Sequence, residues 1–137
     1  MTNTKSFLTI EGITEPAIAN YFDTINRSQF SATASLFAEA GELLAPFEQP
    51  IVGRTKIADY LSKEAKGMKL LPKQGILESE SEQKDYKVLG KVKTSLFSVN
   101  AAWYFTLNAD SQITTAKIKL LASPQELLGL KSKWEVE

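Results

Sequence analysis

The sequence predicts an α+β domain: a curved antiparallel sheet wrapped around N-terminal helices, with a short helix near the C-terminus. Three observations carry this expectation. Apolar residues in the first half recur at the 3.6-residue helical period. From about residue 68 they alternate with lysines at the strand period of two. The stretches between the alternating runs are short and polar, as antiparallel neighbours require.

Residues 1–11 read as a polar arm around Phe7, Leu8 and Ile10, and residues 12–137 as one domain. GITEPAIANYFDTIN is the first helix: Thr14 can cap it, and Pro16 sits in the first turn, where the missing N–H costs little. Ile18, Tyr21, Phe22 and Ile25 share its buried face. SQFSATASLFAEAG predicts a short second helix carrying Phe30, Leu36 and Phe37 and stopping at Gly41. ELLAPFEQPIVG is extended and broken at Pro46 and Pro50, and RTKIADYLSKEAK is a third helix burying Ile57, Tyr60 and Leu61. MKLLPKQGILES, YKVLGKVKT, AAWYFTLN and ITTAKIKLL are the expected strands, with SESEQKD and ADSQ as turns and Gly90 marking a bend or bulge. In SPQELLGL, Ser123, Pro124 and Glu126 form a capping-box signature for a last helix over 124–130.

Composition excludes several classes. Lysine plus arginine equals aspartate plus glutamate, 16 against 16, so no global charge attracts nucleic acid, and the clustered lysines read as solvated strand faces. No cysteine is present, which removes disulfides, thiolate nucleophiles and a redox-linked dimer. No histidine is present either, so a transition metal would have carboxylates alone and acid–base chemistry near neutrality lacks its usual residue. No apolar run approaches the ~20 residues that span a bilayer, and the N-terminus lacks a signal peptide's apolar stretch. A cytoplasmic domain without metal or catalytic residues is the expectation.

Two neutral donors remain as candidates. Trp103 lies in the middle of the strand VNAAWYFTLN, where the backbone is already paired. A buried indole N–H left without a partner costs roughly 1–3 kcal/mol, so a side chain, a water or a ligand oxygen must meet it. Tyr21, on the apolar face of the first helix, is the second donor. Together they can grip one carbonyl oxygen without transferring a proton. An isomerase or hydrolase acting on an apolar substrate would need a buried carboxylate beside them. The nearby acids are Asp23, Glu39, Glu42, Glu48 and Asp59; Asp23 points away from Tyr21 on a helix, and Glu39 and Glu42 flank a helix end. A third reading is a ligand-free dimerisation module with a filled cone.

The runs IEGITEPAIANYFDTINRSQF, SLFAEAGELLAPFEQPIVG, AAWYFTLN and LLASPQELLGL resemble the C-terminal domain of the orange carotenoid protein, and more closely its stand-alone homologues in cyanobacteria. The resemblance covers about Ile10 to Leu130. It implies a nuclear-transport-factor-2-like cone holding one end of a ketocarotenoid of the canthaxanthin or echinenone type. By motif, Tyr21 and Trp103 would donate to the ring's keto oxygen, within a wall of Ile25, Phe37, Met68, Leu70, Leu96 and Phe105. The chain departs from the photoactive relative at Leu96 in TSLFSVNAAW, where a second tryptophan and a longer loop would stand, and it lacks the all-helical half. The implied function is carriage of the pigment, its transfer to helical carotenoid proteins, transient contact with membranes, and quenching of singlet oxygen. A cavity covering half of a symmetric diketone leaves the other half in water, so a homodimer sharing one carotenoid is expected.

Overall fold

A computed structural model describes residues 9–122; residues 1–8 of the arm and the expected helix 124–130 lie outside the described residues. The elements are α1 (Pro16–Asn26), α2 (Phe30–Ser35), β1 (Phe37–Leu44), β2 (Ile51–Val52), α3 (Arg54–Glu64), β3 (Lys69–Glu80), β4 (Lys84–Lys93), β5 (Ser98–Leu107) and β6 (Ile113–Leu120). The strands form one curved, open sheet in the order β2-β1-β6-β5-β4-β3 with the helices beside it, an α+β architecture as the sequence predicts. All neighbours pair antiparallel except β1 and β6, which run parallel.

α1 buries Ala17, Ile18, Tyr21, Phe22 and Ile25 on one stripe. Its cap is Glu15, not Thr14: the residue before Pro16 is held extended, and its carboxylate accepts from the Ala17 N–H at 3.2 Å. The second helix is shorter than its apolar spacing suggests. It ends at Ser35, and Phe37–Gly41 belongs to β1. Tertiary partners take these carbonyls: Ile113 N–H donates to Leu36 O and Arg54 Nε donates to Phe37 O, both at 2.9 Å. Gly41 does not stop a helix. It lies within β1, where the register against β6 slips between Phe37 and Glu42 and a Cβ would stand 2.8 Å from Ile113 O. The expected irregularity near Gly90 is seen in its partner strand, whose register slips between Pro72 and Gln74.

Alternation places Val88 and Val92 of β4, Ala101, Trp103 and Phe105 of β5, and Ala116 and Leu120 of β6 on the buried face. Lys87, Lys91, Lys93, Lys117 and Lys119 occupy the other face or its margin, as the solvated-lysine expectation required. The core is rich in edge-to-face aromatics: Phe22 packs on Trp103 at 4.9 Å and on Tyr21 at 5.2 Å between ring centres, and Phe105 on Tyr21 at 5.0 Å. Asn26 ties α1 to the sheet. Its side-chain oxygen accepts from Leu70 N–H at 2.7 Å and its amide donates to Leu70 O at 2.8 Å, as a neighbouring strand would. At the sheet edge, Glu11 bridges β3 at Gln74, so the arm's last residues are tied to the fold.

Candidate functional site

Between α1, α3 and the concave side of the sheet lies a cavity of about 50 Å³, open at one side. Tyr21 and Ile25 reach it from α1, Met68 and Leu70 from the α3–β3 region, and Trp103 from β5. α1 delivers Tyr21 and Ile25 to one wall because they are four residues apart, one turn along a single face. β5 delivers Trp103 because inward-facing positions alternate and Ala101, Trp103 and Phe105 share that side.

Tyr21 is 2% exposed and Trp103 1% exposed. Among the described residues, neither the Tyr21 hydroxyl nor the Trp103 N–H takes a hydrogen-bond partner, and neither atom is completely sealed from the cavity. Burial pushes the Tyr21 phenol well above its ordinary range, and the neighbouring Tyr60 phenol adds to the rise. Tyr21 therefore stays a neutral donor across all physiological pH.

Two of the expected wall residues stand one layer deeper. Phe37 and Phe105 are fully buried and pack against the Tyr21 ring, at 6.4 and 5.0 Å between centres, so they brace the donor. Leu96 is 67% exposed in the β4–β5 connection, where its N–H donates to Thr94 Oγ1, and it does not reach this cavity. The five acids weighed from sequence are all away from it. Asp23 pairs with Arg27 at 3.1 Å, Glu39, Glu48 and Asp59 are exposed, and Glu42 is half-buried on β1.

Sequence reasoning missed two polar members of the wall. Tyr60 was expected to be buried, but not to present its ring to the cavity, and its hydroxyl oxygen is enclosed. Glu64, one turn further along α3, lines the same cavity and is half-buried. The helical spacing of Ile57, Tyr60, Leu61 and Glu64 was the available signal; a charged residue at a helix end reads as solvated, and that masked it. The remaining lining is apolar, including Leu43, Leu61 and Val92. The described residues contain no group of acids placed to hold a metal ion, and no helix long and apolar enough to cross a membrane.

The site is thus a small, mostly apolar recess bordered by the buried donors Tyr21 and Trp103, the Tyr60 ring and the half-buried Glu64.

No family model matches the chain. The orange carotenoid-binding protein of Limnospira maxima is 40% identical over 126 residues, which are 88% of this chain and 40% of that protein. Among solved structures, the orange carotenoid protein of Anabaena (Nostoc) sp. PCC 7120, binding canthaxanthin, superposes with a TM-score of 0.79 at 38% identity, covering 89% of this chain and 40% of that one. An NTF2-like protein from Cytophaga hutchinsonii superposes at 0.66 with 14% identity over 88% of this chain and 99% of its own, which shows the shared fold alone. The chain spans about two-fifths of the length of the carotenoid-binding relatives it matches.

Proposed function

Since the chain is homologous to the C-terminal domain of the orange carotenoid-binding proteins, we propose that it binds one ring end of a ketocarotenoid, of the canthaxanthin or echinenone type, in the cavity between α1, α3 and β5. Tyr21 and Trp103 donate to the keto oxygen. The observation that supports this most is the pair itself: two buried donors without partners among the described residues, lining one apolar cavity. A keto oxygen has two lone pairs and no proton, so it satisfies both donors at once.

Affinity comes chiefly from the hydrocarbon. At about 25 cal/mol per Å² of apolar surface removed from water, a ring and the adjoining polyene outweigh two hydrogen bonds worth about 0.5–1.5 kcal/mol each. The donors set orientation and select a ketone over an unsubstituted ring. The protein supplies position and environment, and the colour and quenching chemistry belong to the pigment. Loading must also enlarge the recess, because 50 Å³ holds about one or two waters. Met68, half-buried in the wall, has the flexible thioether best able to yield.

A ring so held leaves the far half of the polyene outside, and Phe47 stands 38% exposed next to Pro46, which lines the cavity. Two copies meeting mouth to mouth would cover both ends of a symmetric diketone. Carriage, with transfer to a helical carotenoid protein that replaces one copy, is what the resemblance to the orange carotenoid protein implies, as are pick-up from a membrane and quenching of singlet oxygen.

The test mixes the purified chain with canthaxanthin or with β-carotene and records visible spectra. A red-shifted, protein-associated band is expected with the ketone alone. It should weaken in Tyr21→Phe and in Trp103→Phe and disappear in the double variant; equal bands for both pigments would overturn the reading. Pigment should saturate at one molecule per two chains, and one per chain would refute the shared-pigment dimer. The small cavity favours a second reading, a ligand-free dimerisation module, which predicts no band with either pigment.

A further inference from the structure

The two ends of the sheet carry opposite charge. Strand pairing puts the start of β3, the end of β4, the start of β5 and the ends of β6 and β1 together at one end. The recess draws Ala45, Pro46, Met68, Leu70 and Val92 from that end. Lys66, Lys69 and Lys93 are each the chain neighbour of a lining residue, Lys63 lies in the last turn of α3, and all four are exposed. Lys69 and Lys93 stand directly opposite each other across β3 and β4, where like charges repel. Two acids share this end, Glu48 beyond Pro46 and Glu64 in the wall. The far end is the reverse: Glu78, Glu80, Glu82, Asp85 and Asp110 gather about the β3–β4 and β5–β6 turns, with Lys84 among them. A chain whose charges balance, 16 against 16, is thus polarised along its strands.

Apolar side chains project at the basic end. Leu96, at the tip of the β4–β5 connection beyond Lys93, is 67% exposed, and Phe47 beside Pro46 is 38% exposed. An apolar loop tip among lysines, with the acids turned away, complements an anionic bilayer: the ammonium heads meet lipid phosphates while the tip enters the acyl boundary. We propose that the chain sits mouth-down on anionic membranes through Lys63, Lys66, Lys69 and Lys93 with Leu96 inserted, so that the recess opens onto the bilayer. The inference rests on the carotenoid-binding reading above and adds the surface through which the ring end is taken up. The same rim would face the second copy in a shared-pigment dimer, where two sets of lysines oppose each other, so lipid and second copy exclude one another.

The experiment sediments the full chain, without pigment, with vesicles of phosphatidylcholine alone or mixed with an equal part of phosphatidylglycerol. Binding is expected to the mixed vesicles alone and should be lost in high salt. Lys66→Gln with Lys93→Gln should weaken it roughly twenty-fold, at about fivefold for each lysine near the surface. Lys117→Gln with Lys119→Gln removes the same charge from exposed positions on the outer face of the sheet and should weaken it about threefold at most. Leu96→Ser should weaken binding without changing its salt dependence, and unchanged binding there would overturn the insertion. Absence of binding to either vesicle, or an equal loss from the two lysine pairs, would overturn the inference. These readouts need no pigment and leave ketone binding untouched. A chain that binds the vesicles yet gives no band with canthaxanthin would overturn the carotenoid reading, and with it the uptake role of this surface.

Discussion

At the scale of single residues, burial of Tyr21 widens the pH range over which its phenol keeps its proton. The Tyr21 phenol, ordinarily near 10.0, is raised first by burial and then by Tyr60. The folded value lies above the unfolded one, so the stability linked to this proton is complete below about pH 10 and is lost as pH climbs from there toward the folded value. Urea midpoints should therefore fall through the alkaline range in the unaltered chain. The fall should be shallower in Tyr21→Phe, with a residual slope from Tyr86, which burial also raises. Identical alkaline profiles would show that Tyr21 is not the group responsible. The burial of Tyr21 and Trp103 was legible in the sequence, because each lies on an apolar face; their pairing on one oxygen is what the resemblance implies. The place of Glu64 was not legible, because the cavity it borders is made by elements far from it in sequence.

At the scale of elements, local periodicity located α1, α3 and β3 to β6, but misassigned Phe37–Gly41. Phe30, Ala34 and Phe37 have helical spacing, and long-range partners of Leu36 and Phe37 decide the matter for a strand. The Asn26 clamp is the other feature that local reading could not reach, since its partner lies 44 residues on. Asn26→Ala leaves the Leu70 N–H and C=O unpaired in a part-buried site, and the expected cost is about 1–3 kcal/mol. Chemical denaturation measures this directly. A change below half a kcal/mol would mean that water replaces the amide without loss.

At the scale of the whole molecule, alternation told which face of each strand is buried but not which strand lies next to which. The parallel seating of β1 against β6 was therefore unforeseen. The motifs, by contrast, carried the overall architecture, because the resemblance spans nearly every element.

That architecture gives the recess two unlike sides. α1 is tied to β3 near its C-terminal end through Asn26, whereas α3 is tied to β1 at its first turn, where Arg54 Nε donates to Phe37 O, and is followed by Gly67 with left-handed backbone at φ 88°. A ring too large for the recess would then enter as between a fixed jaw and a swinging one, with α3 turning about its anchored Arg54 end and Gly67 giving at the other. Amide exchange over residues 54–66 should change on loading with canthaxanthin while residues 16–26 stay as they were. The reverse pattern would put the moving part on the wrong side.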